Sequence, residues 1–146
     1  MAVRSFLAAV FLLAGCASQG PLPQDANNPL QVISMAAEAA PQSVSATVAL
    51  QVRAVGNQRE LVFLNSEADY RDQRNVSVVI LPGARKKVEA LFGGDLSSAA
   101  TGKRILVKGR AQRVTIWFID SNGQRSDKYY YQTQLPVSDA AQIQII

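Results

Sequence analysis

Apolar and polar residues alternate through the middle of the chain. From 44 to 54 every second residue is apolar, with alanine or polar residues between them, and a period of two predicts a long half-buried β-strand. A shorter run at 60–65 that is apolar on both faces, one at 75–81 rich in β-branched residues, and longer runs at 103–119 and 128–137 predict further strands. The pattern therefore predicts a mainly β domain of five strands.

Turn residues punctuate these runs. Gly56 and Asn57 predict a turn after the first strand, and Asn122 followed by Gly123 is a strong hairpin signal between the last two. Gly109 lies inside the run 103–119. A glycine there indicates either a bend within one long strand or the meeting point of two strands.

Two segments have the period of a helix. Ser34 is a candidate N-cap for a short alanine-rich helix over 34–40, which Pro41 ends. A second helix is expected over 84–92, stopped by Gly93 and Gly94. Its core-facing residues are predicted to be Val88, Leu91 and Phe92.

The N-terminus combines Arg4, the apolar run 6–13 and the sequence Leu-Ala-Gly-Cys at 13–16. That run is too short to span a bilayer, which takes about 20 apolar residues. The segment resembles the lipobox signal peptide of bacterial lipoproteins. The resemblance implies removal of residues 1–15 and lipid (palmitate) on Cys16, and an ordinary secretory signal is the alternative.

The same resemblance implies a place in the bacterial cell envelope. Ala17 after the lipidated residue favours the outer membrane, facing the periplasm. The membrane, through Cys16, is then the first partner. The small and polar residues that follow predict a flexible tether over 16–32 and a folded domain over 33–146.

Composition limits the chemistry. The 146 residues include no histidine and one cysteine, which excludes Ser-His and Cys-His nucleophiles and Cys/His zinc sites. Removing Arg4 with the signal leaves 14 of 15 basic residues against 11 acidic ones, a formal charge of +3. We expect a protein that is not an enzyme and carries no cofactor or metal.

Several motifs are similar to those of a family of small, largely uncharacterised bacterial OB-fold proteins. They are the run 62–65 followed by Asp69-Tyr70, then 76–80, 102–109 and 141–143, with Glu38 on the preceding alanine-rich helix. The resemblance implies a five-stranded OB-like barrel with one helix between strands three and four. The chain departs from that family in its extended C-terminal hairpin, 110–137.

An acidic loop is one candidate site. Glu67, Asp69 and Asp72 could hold a metal ion, as a metal-dependent phosphodiesterase would require. Arg71 and Arg74 are interleaved with these carboxylates. Local ion pairs in a solvated loop are therefore the favoured interpretation.

The hairpin and its neighbouring strand supply the candidate binding residues Lys108, Arg110, Trp117 and Tyr130. Exposed aromatic residues favour a protein partner in the envelope. Basic and aromatic residues together also suit an oligosaccharide, an anionic polymer or single-stranded nucleic acid. An exported protein does not usually meet nucleic acid, so that last ligand is disfavoured. The sequence thus predicts a membrane-anchored, non-enzymatic binding or interaction module.

Overall fold

The computed structural model describes residues 21–146; the predicted signal segment, Cys16 and the start of the predicted tether lie outside this range. No helix in the described range is long and apolar enough to cross a membrane. The fold is mainly β. Its strands are β1 (Val44–Gln51), β2 (Ala54–Gln58), β3 (Leu61–Asn65), β4 (Val76–Ile80), β5 (Arg104–Ile119), β6 (Arg125–Val137) and β7 (Ile143–Ile145). Its helices are α1 (Pro29–Ala39), α2 (Pro82–Phe92) and α3 (Leu96–Ala99), with a 3-10 turn at Ala140–Gln142.

One sheet holds all seven strands in the order β1-β5-β6-β4-β3-β2, with β7 added to β5. Neighbours are antiparallel except β4 and β6, which run parallel. The two strands that end this order, β1 and β2, follow each other in the chain with only Val52 and Arg53 between them. The N–H of Val52 donates to the carbonyl of Lys103, and that of Arg53 donates to the carbonyl of Asn65, both at 2.8 Å.

The strand count differs from the five expected. The predicted first strand divides at Val52 and Arg53, where its partner changes from β5 to β3, and β7 is additional. The predicted turn at Gly56 and Asn57 is wrong, because both residues lie within β2. The chain turns at Arg59 and Glu60, directly after β2, and Arg59 takes a left-handed conformation with φ 55°.

Helix α1 begins at Pro29 rather than near Ser34, which lies inside it. Asn28 is the N-cap: its side chain accepts from the N–H of Gln31 at 3.0 Å, and the Gln31 side chain accepts from the Asn28 N–H at 2.8 Å. This capping box satisfies two N–H groups at the helix start. The folded unit therefore reaches into 16–32, the range predicted as tether.

Helix α2 buries Ala84, Val88 and Phe92, which recur every four residues on one face. Leu91 is 41% exposed, so the prediction that it faces the core is wrong. A residue adjacent to Phe92 lies about 100° around a helix from it, because 3.6 residues make one turn. Gly93 ends the helix as predicted, with φ 83°.

Strand β5 is continuous through Gly109. A Cβ placed there would lie 2.7 Å from Cδ2 of Leu135, a fully buried side chain. The glycine thus allows β5 and β6 to approach each other. Two residues later β5 changes partner, since Ala111 is the last residue paired with β1 and Gln112 the first paired with β6.

Beyond Ala111, where the pairing with β1 ends, β5 and β6 continue as a two-stranded hairpin, which we call the arm (112–132). In the described residues its strands pair only with each other. The register shifts between Trp117 and Ile119, and Gly123 closes the predicted turn with φ 78°. The arm is thus a two-stranded extension of the sheet.

Candidate functional site

A groove of about 370 Å³ lies where the outer face of the sheet meets the base of the arm. Strands β2, β3, β4, β5 and β6 all contribute to it, together with one loop residue. We define the groove by its lining residues: Gly56, Asn57, Gln58, Phe63, Asn65, Tyr70, Ser77, Ile116, Tyr130, Gln132 and Gln134.

The groove is lined by neutral amides and aromatic rings, and none of its lining residues is charged. Along β6, the Nε2 of Gln134 donates to the Oε1 of Gln132 at 2.9 Å, and the Nε2 of Gln132 donates to the hydroxyl of Tyr130 at 2.9 Å. Burial raises the pKa of Tyr130 above its ordinary value, although the Gln132 hydrogen bond opposes this shift. The phenol therefore stays neutral at physiological pH.

A buried polar network forms the floor below the groove. Asn65, Asn75 and Ser77 are each almost completely buried. The Oδ1 of Asn65 accepts from the hydroxyl of Ser77 at 2.7 Å and from the Nδ2 of Asn75 at 3.1 Å. Buried polar groups that are satisfied in this way fix the relative positions of the segments carrying them.

The loop at 66–75 brings Tyr70 to the wall of the groove. The side chain of Asn75 holds the loop, because its Oδ1 accepts from the N–H of Glu67 at 3.0 Å and its Nδ2 donates to the carbonyl of Tyr70 at 3.4 Å. Tyr70 remains about half exposed. Its ring is not committed to the core, and the guanidinium carbon of Arg71 lies 5.7 Å from the ring centroid.

The acidic residues of this loop form ion pairs, as predicted. Arg71 donates two hydrogen bonds to Asp69, at 3.1 and 3.0 Å, and Arg74 donates two to Asp72, at 3.0 and 2.7 Å. The Arg74 hydrogen bonds lower the pKa of Asp72 to about 2. Glu67 pairs with Arg53 at 3.1 Å. Within residues 21–146, no three His, Cys, Asp or Glu side chains gather closely enough to hold a metal ion.

The opposite face of the arm carries a continuous row of cations and rings, which we call the ladder. In order, its members are Arg125, Trp117, Tyr129, Tyr131 and Arg113. The two guanidinium carbons lie 4.2 Å and 4.3 Å from the ring centroids they cover, those of Trp117 and Tyr131 respectively. Neighbouring ring centroids are 5.0 Å and 5.5 Å apart, and the ring planes are inclined to each other by 56° and 62°. The outer ring faces are thus already occupied by cations of the same chain.

The four predicted binding residues do not form one site. Lys108 and Arg110 lie on the part of β5 that pairs with β1. Arg110 also serves the fold, since its Nε and Nη2 donate to the hydroxyl and carbonyl of Ser43 at 2.8 and 2.7 Å. Trp117 belongs to the ladder and Tyr130 to the groove, on opposite faces of the arm.

The sequence did not lead us to predict the amide side chains of the groove as binding residues. Gln132 and Gln134 alternate with Tyr130 on one face of β6, a spacing that was readable in the sequence. Asn57 and Ser77 come from strands far away in the chain, so that only the strand order brings them to the same place.

No known family model matches the chain, and no curated protein matches it. Among solved structures, it is similar to a putative aspartyl-tRNA synthetase from Leishmania major, with TM-score 0.44 and 12% identity over 94% of this chain and 22% of that one. It is also similar to a mitochondrial single-stranded DNA binding protein of S. cerevisiae, with TM-score 0.38 and 9% identity over 72% of this chain and 96% of that one. The chain therefore spans about a fifth of the synthetase.

Proposed function

We propose that this chain is a non-enzymatic binding module, held on a bacterial membrane by lipid at Cys16, whose groove binds an oligosaccharide. We infer the class of ligand from the lining of the groove, which combines amides with aromatic rings and contains no charged residue. Sugar hydroxyls both donate and accept hydrogen bonds, and amide side chains offer both functions. The rings of Phe63, Tyr70 and Tyr130 supply apolar faces for the C–H side of a sugar.

We further propose that the sheet is an OB-type barrel in which β1 and β2 act as one bent strand. Three observations support this: the order of the strands, the parallel pairing of β4 with β6, and the position of α2 between β4 and β5. OB folds bind oligosaccharides and oligonucleotides on the face of their second and third strands. Here those strands are β3 and β4, which contribute Phe63, Asn65 and Ser77 to the groove.

The charge of the groove favours a neutral sugar over nucleic acid or an anionic polymer. Binding a phosphate backbone depends on lysine and arginine contacts. Lys108 and Arg110 lie on a different part of β5, outside the groove lining. The ligand therefore needs hydroxyl groups rather than phosphates.

The anchor is tested separately. In the full chain expressed in a bacterium, Cys16→Ala is expected to abolish incorporation of labelled palmitate, while Ser18→Ala, two residues away, leaves it intact. Labelled Cys16→Ala protein in the membrane fraction would overturn the lipid anchor without touching the argument for the groove.

Calorimetry on the detergent-purified full chain tests the ligand, with neutral N-acetylglucosamine oligomers, heparin and oligo-dT as probes. The double variant Gln132→Ala with Gln134→Ala is expected to weaken binding of the N-acetylglucosamine oligomers about tenfold, since two hydrogen-bonding groups worth ~0.5–1.5 kcal/mol each are lost. Gln124→Ala with Gln144→Ala is the matched control, because both glutamines are exposed and outside the groove. Tighter binding of heparin, lost with Lys108→Ala and Arg110→Ala, would replace the sugar by an anionic polymer.

A further inference from the structure

One edge of the arm has an unusual composition. Residues 112–119 of β5 pair with β6 on one side, and on the other side no described strand pairs with them. Six of these eight residues are β-branched or aromatic, and Arg113 is the only charged one. An edge of this kind presents unpaired backbone N–H and C=O groups to another strand.

The other edge of the arm is protected. On β6, residues 125–128 include Arg125, Asp127 and Lys128, and charged residues are a common means of blocking strand addition. Gln73 also covers part of this edge, since its Nε2 donates to the carbonyl of Tyr131 at 3.4 Å. These protective features all lie on the β6 edge of the arm.

The arm has only two strands, and no other strand of the described residues pairs with it. Isolated hairpins are marginally stable in water, and three or more strands are usually needed. Phe118 and Ile119 are 45% and 63% exposed at the end of the unprotected edge. A further strand on β5 would extend the sheet and cover apolar surface that the described residues leave in water.

We propose that the unprotected edge of β5 pairs with the same edge of a second copy of this chain, forming a four-stranded sheet across a two-fold axis. Identical antiparallel strands pair about an axis perpendicular to the sheet, so that one residue faces its own counterpart and the others pair crosswise. The overlap along 112–119 is longest when Thr115 lies on or next to the axis. The partner is a copy of the chain because its own edge offers the same unpaired backbone groups and carries no opposing charge.

The single charge on the edge fits this symmetry. With Thr115 on the axis, Arg113 lies opposite Trp117 of the second copy. The two Arg113 side chains then lie near opposite ends of the paired segment and do not face each other. Arg113 already covers the Tyr131 ring, and Trp117 is already covered by Arg125. Pairing therefore joins the two ladders into one continuous row of cations and rings on a single face of the sheet.

Disulfide cross-linking tests the proposed geometry in the detergent-purified full chain, on a Cys16→Ser background that removes the native cysteine. Residues directly opposite in an antiparallel pair have Cβ atoms about 4.5–5.5 Å apart. Thr115→Cys is therefore expected to give covalent dimer efficiently on mild oxidation. Lys128→Cys, on the protected edge, is the control and is expected to give no covalent dimer.

A second pair of variants tests the interface without a cross-link. Thr115→Lys places two ammonium groups face to face and is expected to convert a dimer measured by light scattering into a monomer. Thr101→Lys, at an exposed turn away from the arm, should stay dimeric. A wild-type monomer at all concentrations, or equal cross-linking at both cysteines, would each overturn the proposal. Of the residues on this edge only Ile116 lines the groove, so glycan binding by a monomer would leave the proposed function standing.

Discussion

The Nδ2 of Asn75 donates to the Oδ1 of Asn65 at 3.1 Å and thereby joins the end of the 66–75 loop to β3. Asn75 also accepts from the N–H of Glu67, at the other end of the loop. One buried side chain thus closes the loop and fixes it to the sheet directly below the groove.

Asn75→Ala should therefore affect both stability and ligand binding. Removing the amide takes one hydrogen-bond donor from the Oδ1 of Asn65 and the acceptor from the N–H of Glu67. Leaving a buried polar group without its partner costs about 1–3 kcal/mol. Gln73→Ala, on the same loop but exposed, is the control. Urea unfolding measures the loss, and equal stabilities for the two variants would contradict the role assigned to Asn75.

Phe92→Ala and Leu91→Ala separate the two faces of α2. Phe92 is 8% exposed and belongs to the core, so its truncation should cost about 3–5 kcal/mol. Leu91 is 41% exposed, and its truncation should change stability by less than about 1 kcal/mol. Thermal unfolding of both variants checks this, and a larger loss for Leu91→Ala would show that the helix is rotated.

Gly109→Ala should lower the stability of the fold because the added methyl group has no room, and not because the backbone conformation requires glycine. The added methyl would meet Leu135 at 2.7 Å and the Nε2 of Gln142 at 3.1 Å. Overpacking of this kind costs about 1–3 kcal/mol. Gly94→Ala is the control, since nothing lies within 4 Å of a Cβ there. Similar unfolding midpoints for both would argue against close contact between β5 and the Leu135 side chain.

The pKa of Asp72 predicts a response to acid. Arg74 lowers it from 3.8 to about 2 in the folded protein, so the folded state favours the ionised carboxylate. The resulting stabilisation is fully present above the unfolded value and is lost as the pH falls through the folded value. A carboxyl NMR titration should show the low pKa in the wild type and in Arg53→Gln. In Arg74→Gln, the pKa of Asp72 should return towards 3.8.

The elements that could be predicted are those whose signal is local. Alternation over 44–51 and the glycines after Phe92 correspond to β1 and the end of α2. The start of α1 was missed because Ser34 before an alanine run imitates a cap. The true signal, Asn28 followed by Pro29 and Gln31, is equally local.

The groove was beyond sequence reasoning for a different reason. Asn57, Ser77 and Gln132 are neutral residues with no distinctive spacing between them. They meet because β4 pairs in parallel with β6, while β3 joins β4 to β2. Charged and aromatic residues drew the prediction to Lys108, Arg110, Trp117 and Tyr130, of which Tyr130 alone lines the groove. Arg110 is engaged by Ser43, directly before β1.

Trp117 is the only tryptophan of the chain, and it lies on the arm between Arg125 and Tyr129. Its ultraviolet emission therefore reports on the arm alone, and the other strands and helices contribute no indole signal. Excitation of Tyr129, whose ring centroid is 5.0 Å away, will be passed to the indole very efficiently. Fluorescence and far-ultraviolet circular dichroism thus observe different parts of this molecule. A difference between their unfolding curves would measure how independently the arm separates from the rest of the sheet.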